Sequence, residues 1–280
     1  MVKEFARAKI NLTLDILGKR ADGFHEVSMI MQTLELADIV ELEKADAVTL
    51  KISGNDSLPT DEKNLAFRAA LEVQNFCNKN FGVSINLTKK IPSAAGLAGG
   101  SSDAAAVIRG LNILYDLNLS VEEMYEIAAK IGSDVPYCVI GGTCLATGRG
   151  EILTRLDDLP AFQVVLIKPH GEISTAWAYQ NYDDNPAQFH PQNNEIINLL
   201  KEKNYDAAFK KFSNVLEPVA IKKIPAIQTY KKFLLDNGAK VAMMSGSGST
   251  VFALIDNFDA AKFIFNDAQI FITKTFRKVI

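Results

Sequence analysis

Disulfide chemistry has almost no foothold in this chain: Cys77, Cys138 and Cys144 are the only cysteines, and no C-x-x-C pair is among them. An odd number of scattered thiols excludes a disulfide framework and a paired zinc motif. It fits small apolar fillers in a reducing compartment. A basic excess is missing too. Lys and Arg number 30 against 33 Asp and Glu, a formal charge of −3, which argues against nucleic-acid partners and a basic membrane-binding face. No window approaches the roughly 18 apolar residues of a membrane span. Met1-Val2-Lys3-Glu4-Phe5-Ala6-Arg7 carries charges where a secretory signal needs an apolar run. A cytoplasmic, unprocessed protein is expected, and any anion it binds must be drawn by a local site and a divalent metal rather than by a global field.

What the sequence does carry is Pro92-Ser93-Ala94-Ala95-Gly96-Leu97-Ala98-Gly99-Gly100-Ser101-Ser102-Asp103, small residues that let a backbone bend closely around a ligand. Ala104, Ile108, Leu111 and Tyr115 follow at helical spacing, so this loop feeds a helix N-terminus. Unpaired N–H groups and the positive end of the dipole would face whatever the loop holds, and a phosphate is the expected guest.

Residues 5–17 alternate with period two. Ala6, Ala8, Ile10, Leu12, Leu14 and Ile16 form one face, and Arg7, Lys9, Asn11, Thr13 and Asp15 the other. Lys9 and Asn11 stand about 6.6 Å apart on one side, near enough to address one ligand, although a solvated strand face is the simpler reading. After a turn at Asp22-Gly23 a second extended run goes through Leu36, opening on Phe24 and His25; a lone histidine after a turn usually has no special role, although a ring beside a hydrogen-bonding group also suits a planar ligand. Strands are expected at 38–43, 47–53 and 83–88, and helices at 64–78, from the Gly-rich loop to about Tyr115, and from a capping box at Ser120 and Glu123 to Ile131-Gly132. Pro160 closes a weakly patterned stretch, which divides the chain into 1–156 and 157–280. The second part reads as strands 163–168, 241–245, 250–255 and 270–276 with helices 194–202, 204–215, 224–237 and 258–266, and a polar segment from Asp183 to Asn194. Helices on an antiparallel sheet behind a mixed first domain make an α+β fold.

Several phosphate machines are excluded by inspection. There is no G-x-x-x-x-G-K-[ST], no G-x-G-x-x-G, no H-R-D or D-F-G and no G-x-S-x-G. Three segments in order, Ala8-Lys9-Ile10-Asn11-Leu12, Pro92–Asp103 and Gly246-Ser247-Gly248-Ser249-Thr250, instead resemble the motifs of the GHMP small-molecule kinases. Within them, Arg20-Ala21-Asp22-Gly23-Phe24-His25-Glu26 and Gly132-Ser133-Asp134-Val135-Pro136 look like the branch acting on 4-diphosphocytidyl-2-C-methyl-D-erythritol.

The resemblance implies a two-domain GHMP kinase-like fold and transfer of the ATP γ-phosphoryl, with Mg²⁺, to the C2 hydroxyl of that substrate, a step of non-mevalonate isoprenoid synthesis. Pro92 to Ser102 would wrap the ATP phosphates, Ser101 or Ser102 acting through the metal, with no direct metal ligand assigned. Asn64 would sit toward the adenosine. Lys9 and Asp134 would flank the accepting hydroxyl. Asn11, Phe24, His25 and Tyr179 would hold the substrate, Phe24 and Tyr179 around the cytosine, and Gly246 and Ser247 would line the cleft. Asp103 is read as a helix cap, or a metal partner only indirectly. A kinase of another small alcohol, or a binding protein without catalysis, is the alternative; a monomer or a homodimer fits equally.

Overall fold

The structure, a computed structural model, describes residues 1–256, 258–259 and 265–280. Alternation at the N-terminus produces β1 (Val2–Lys19), antiparallel to β2 (His25–Ala45) from Val2 opposite Leu42 to Lys19 opposite His25. The strand expected at 38–43 is the second half of β2. That strand is long because its two halves have different neighbours. Residues 39–45 pair with β4 (Gly82–Thr88), whose other edge takes β3 (Thr49–Ser53) in parallel. Residues 29–32 pair with β5 (Thr143–Thr147), which continues to β6 (Ile152–Arg155).

On this mixed sheet lie α1 (Leu65–Cys77), α2 (Gly99–Leu114), α3 (Val121–Ile131) and the short α4 (Val135–Ile140). The capping box is formed: Ser120 accepts from the Glu123 N–H while the Glu123 carboxylate accepts from the Ser120 N–H. Sequence reading left α4 unassigned because six residues carry too little periodicity to show. Pro136 in its first turn is compatible with a helix start.

The second sheet is antiparallel throughout, in the order β10 (Ala268–Lys274), β7 (Gln163–Pro169), β9 (Val251–Leu254), β8 (Val241–Met244). Around it run α5 (Thr175–Asp184), α6 (Asn193–Lys201), α7 (Tyr205–Phe209), α8 (Glu217–Lys223) and α9 (Ala226–Asp236). Neither α5 nor α8 was expected, and α7 stops at Phe209 rather than 215. Beyond that point Phe212 turns in against Phe209, which also meets Phe162 edge-on. Of the helix expected over 258–266, residues 260–264 lie outside the described residues. The α+β class holds.

The two sheets share a core. Ala8, Ile10 and Leu12 of β1 join Val164, Leu166, Phe252 and Leu254 of the second sheet and Ile196 and Phe209 of the helices in one apolar cluster. The opposite side of β1 is not solvated, contrary to the simpler reading: Lys9, Asn11, Thr13 and Asp15 are all buried, because loops from distant parts of the chain cover them. The C-terminal segment crosses back to the first sheet, where the Phe276 N–H donates to the Thr33 carbonyl and the Val279 N–H to that of Ile140. The three cysteines are free, and burial pushes the Cys138 and Cys144 thiols up to about 12 and about 11, so both are inert fillers. Among the described residues no helix is long and apolar enough to cross a membrane.

Tyr137 fixes α4 to β2. It is fully buried, and its hydroxyl donates to the Gly142 carbonyl at 2.7 Å and lies 2.9 Å from Thr33 Oγ1. Tyr137→Phe leaves buried groups without that partner and is expected to cost about 1–3 kcal/mol, read as a lower urea midpoint at unchanged m-value.

Candidate active site

One cavity of about 1010 Å³ opens between the Gly-rich loop, the β1–β2 turn and α5. It stands at the upper end of ordinary ligand sites, with room for two ligands. Lys9, Asn11, Phe24, His25, Asn64, Pro92 through Ser101, Asp134, Tyr179, Gly246 and Ser247 all border it. Ser102 does not. Its hydroxyl donates to the Arg7 carbonyl at 2.6 Å, on the buried side of α2.

The loop reaches α2 through residues in the left-handed region, Ala94 at φ 48°, Gly96 at 74° and Ala98 at 58°. Ala98 is the residue before the helix and supplies no capping side chain, and no acidic group stands in the first turn. The orphan N–H groups of that turn are therefore left for an anion. Asp103 is not the cap, because the helix begins four residues earlier, at Gly99. Gly96 is needed as glycine: a Cβ there would lie 2.1 Å from the Ser245 carbonyl oxygen.

Lys9 forms the centre of the opposite wall. Its ammonium donates to Asn11 Oδ1 at 2.7 Å and to the Gly96 carbonyl at 3.2 Å, and stands 3.7 Å from Asp134 Oδ2. Asp134 precedes α4, yet its side chain makes no capping bond, so the carboxylate remains turned to the cavity. The Gly246 loop closes over the pair, since a Cβ at Gly246 would sit 3.3 Å from Asn11 Oδ1 and 3.4 Å from Lys9 Nζ. Asn11 has its amide oxygen on Lys9, so it positions that ammonium.

At the other end Phe24 is half exposed at the mouth, with the Arg149 guanidinium 4.9 Å from its ring centroid. His25 packs on Tyr179 with centroids 4.9 Å apart, and burial pushes the Tyr179 hydroxyl upward, so it stays neutral. Sequence reading missed Asp183, which pairs with His25 and Lys19, as well as the Lys63 and Thr175 side chains on the wall. Asp183 stood in a segment read as irregular, 158 residues from its histidine, and no local signal joins the two.

The family profile for the GHMP kinases N terminal domain matches residues 64–142, and that for the GHMP kinases C terminal matches residues 190–272. The chain belongs to the GHMP kinases. It is 45% identical over 273 residues to the 4-diphosphocytidyl-2-C-methyl-D-erythritol kinase of Listeria innocua, covering 97% of this chain and 93% of that one. The kinase of the same name from Bacillus pumilus is 45% identical, with 98% and 95% covered. A crystal structure of 4-(cytidine 5'-diphospho)-2C-methyl-D-erythritol kinase superposes with a TM-score of 0.82 at 29% identity, covering 98% of each chain. Homoserine kinase from Cytophaga hutchinsonii, at 23% identity and a TM-score of 0.76, shares the fold. As a GHMP kinase the chain is an ATP-using small-molecule phosphotransferase.

Behind the phosphate loop of this GHMP kinase lies a buried ionic cluster. Lys89 is salt-bridged to Asp38 and lies 2.6 Å from Asp103 Oδ2, while Asp38 also accepts from the Lys90 and Ile91 N–H groups. Two carboxylates share one ammonium, and Asp103 Oδ1 has no hydrogen-bond partner. Burial first, then the neighbouring Asp38, push the Asp103 carboxyl up to about 8 against the pull of Lys89. Asn64 has its amide committed to the start of α1, accepting from the Ala66 N–H and donating to the Pro59 carbonyl. That leaves the amide a second N–H and a second oxygen lone pair at the cavity wall.

Two outcomes are expected. Gly96→Ala forces a left-handed alanine against the Ser245 carbonyl and displaces the loop, and kcat/KM should fall about 10²-fold in a steady-state assay. For Asp103, a carboxyl raised in the folded state binds its proton more tightly than in the unfolded chain, so folding stability is lost as pH rises from about 4 to about 8. Asp103→Asn removes that loss, and its stability relative to the unaltered protein should rise across the same window in urea melts.

Proposed function

We propose that this kinase transfers the γ-phosphoryl group of ATP to the C2 hydroxyl of 4-diphosphocytidyl-2-C-methyl-D-erythritol. The observation that carries the reading is the Lys9–Asp134 pair, 3.7 Å apart between the uncapped α2 N-terminus and the His25–Tyr179 wall of the same cavity. Relatives at 45% identity bearing that kinase's name support it.

The ATP phosphates lie in the loop from Pro92 to Ser101, met by backbone N–H groups and the dipole of α2. A Mg²⁺ ion keeps most of its water and takes few protein ligands when phosphates supply the rest. This fits a wall on which the Ser101 hydroxyl is the nearby donor and, among the described residues, no three acidic, His or Cys side chains gather. When bound, the ion neutralises charge on the phosphates.

Lys9 and Asp134 are too far apart for a hydrogen bond, which leaves an alcohol oxygen room to meet both. Phosphoryl transfer has a loose transition state, so alignment and charge do most of the work. Lys9 stabilises negative charge gathering on the transferred group and the attacking oxygen, and Asp134 accepts the hydroxyl proton as the O–P bond forms. Asn11, and Gly246 above it, keep the ammonium at that point. Phe24, His25 and Tyr179 receive the cytosine, and Ser247 completes the wall through its contact with Thr175.

Asp134→Ala is expected to lower kcat by at least about 10²-fold with nucleotide affinity retained, measured by coupled ADP release and by nucleotide titration. A panel of the cytidyl substrate, mevalonate, homoserine and galactose tests the acceptor. Turnover of a simple alcohol in preference to the cytidyl compound overturns the substrate.

A further inference from the structure

Asp183 and Lys19 take no part in the phosphoryl chemistry, yet they are held at the cavity's far end with well-formed contacts. Asp183 Oδ1 lies 2.6 Å from His25 Nε2 and Oδ2 lies 2.7 Å from Lys19 Nζ. An ion pair this exposed is worth little to stability. Its consequence lies in the third partner. Hydrogen bonds from Lys19 and then His25 hold the Asp183 carboxyl below the usual carboxylate range, and an ionised carboxylate only accepts. Nε2 must therefore carry hydrogen. In the neutral ring that leaves Nδ1 as an acceptor, and among the described residues Nδ1 has no hydrogen-bond partner and is not sealed away.

We propose that Asp183 is the positioning residue that sets base selection, locking His25 as the Nε2–H tautomer so that Nδ1 accepts a hydrogen bond from a pyrimidine's amino group. Cytosine presents an N4 amino donor where uracil presents a carbonyl acceptor. A fixed acceptor attracts the first and meets the second lone pair to lone pair. The inference rests on the cytidyl reading above for its ligand, and on the Lys19–Asp183–His25 geometry for its mechanism. Tyr179 against the ring limits its rotation, so the tautomer, once set, has one orientation in which to act.

The chain has three histidines, so ¹⁵N-histidine spectra resolve the tautomer of His25 without any substrate. The unaltered protein should show a single Nε2–H form. Asp183→Leu, of similar shape and without an acceptor, should give a mixture, and Asp183→Asn, which retains an acceptor oxygen, should restore the single form. In steady-state assays with the cytidyl substrate and its uridyl analogue, Asp183→Leu should raise KM for the cytidyl compound about tenfold at nearly unchanged kcat and lower the base preference by a similar factor. A His25 tautomer unmoved in Asp183→Leu, or an unchanged base preference, overturns the role of Asp183. An unaltered protein that ignores the cytidyl compound overturns the substrate instead, and the tautomer spectra still decide on Asp183.

Discussion

The burial of one ammonium group constrains the rest of this structure. Lys9 is only 4% exposed, and a charge removed from water is tolerated only when its donors are met. Its partners come from three separated stretches: Asn11 on the same strand and the Gly96 carbonyl in the phosphate loop accept from it, and the Asp134 carboxylate before α4 stands 3.7 Å away. The Gly96 carbonyl is shared with the Ser245 hydroxyl, which draws in a fourth. If any of these segments drifts, a buried cation loses a partner. The interaction that sets the reaction geometry is therefore also a fastening between the two sheets.

Around that fastening the loop is left open. A helix of sixteen residues, α2, starts without a side-chain cap, behind two alanines in the left-handed region. Each is a local penalty that an ordinary helix start avoids. The compensation is at the rear, where Asp38 takes the N–H groups of Lys90 and Ile91 as well as the Lys89 ammonium, and Lys89 reaches α2 through Asp103. The stem is anchored so that the interior can present bare N–H groups. The unpartnered Asp103 oxygen belongs to the same compromise, since one ammonium serves two carboxylates.

How far the sequence discloses this depends on whether the deciding interaction is local. The β1 alternation, the glycine loop and the Ser120 capping box are local, and they are legible residue by residue. Lys9 is only half legible. Period two puts it beside Asn11, but whether that face is wet or dry depends on loops at residues 96 and 246, far along the chain. Ser101 and Ser102 differ by one step of helical register, and which one faces the cavity follows only once the helix is known to begin at Gly99. Asp183 has no local signature at all, because its meaning is created by the packing of α5 against the β1–β2 turn.

That turn explains how one hairpin serves both ends of the cavity. Lys9 and Lys19 lie ten residues apart on β1, and a straight strand would separate them by about 33 Å. Register shifts between Arg7 and Lys9, between Asn11 and Thr13, and between Ile16 and Gly18 interrupt the pairing with β2, and bulges of this kind bend a strand and re-aim its side chains. Two of the three flank the Lys9–Asn11 pair and the third precedes the turn that carries Phe24 and His25. The irregularities thus stand where the hairpin passes from one end of the cavity to the other. A regular β1 would retain the ladder hydrogen bonds and lose the common cavity, so the hairpin gives up regular pairing for the placement of its functional groups.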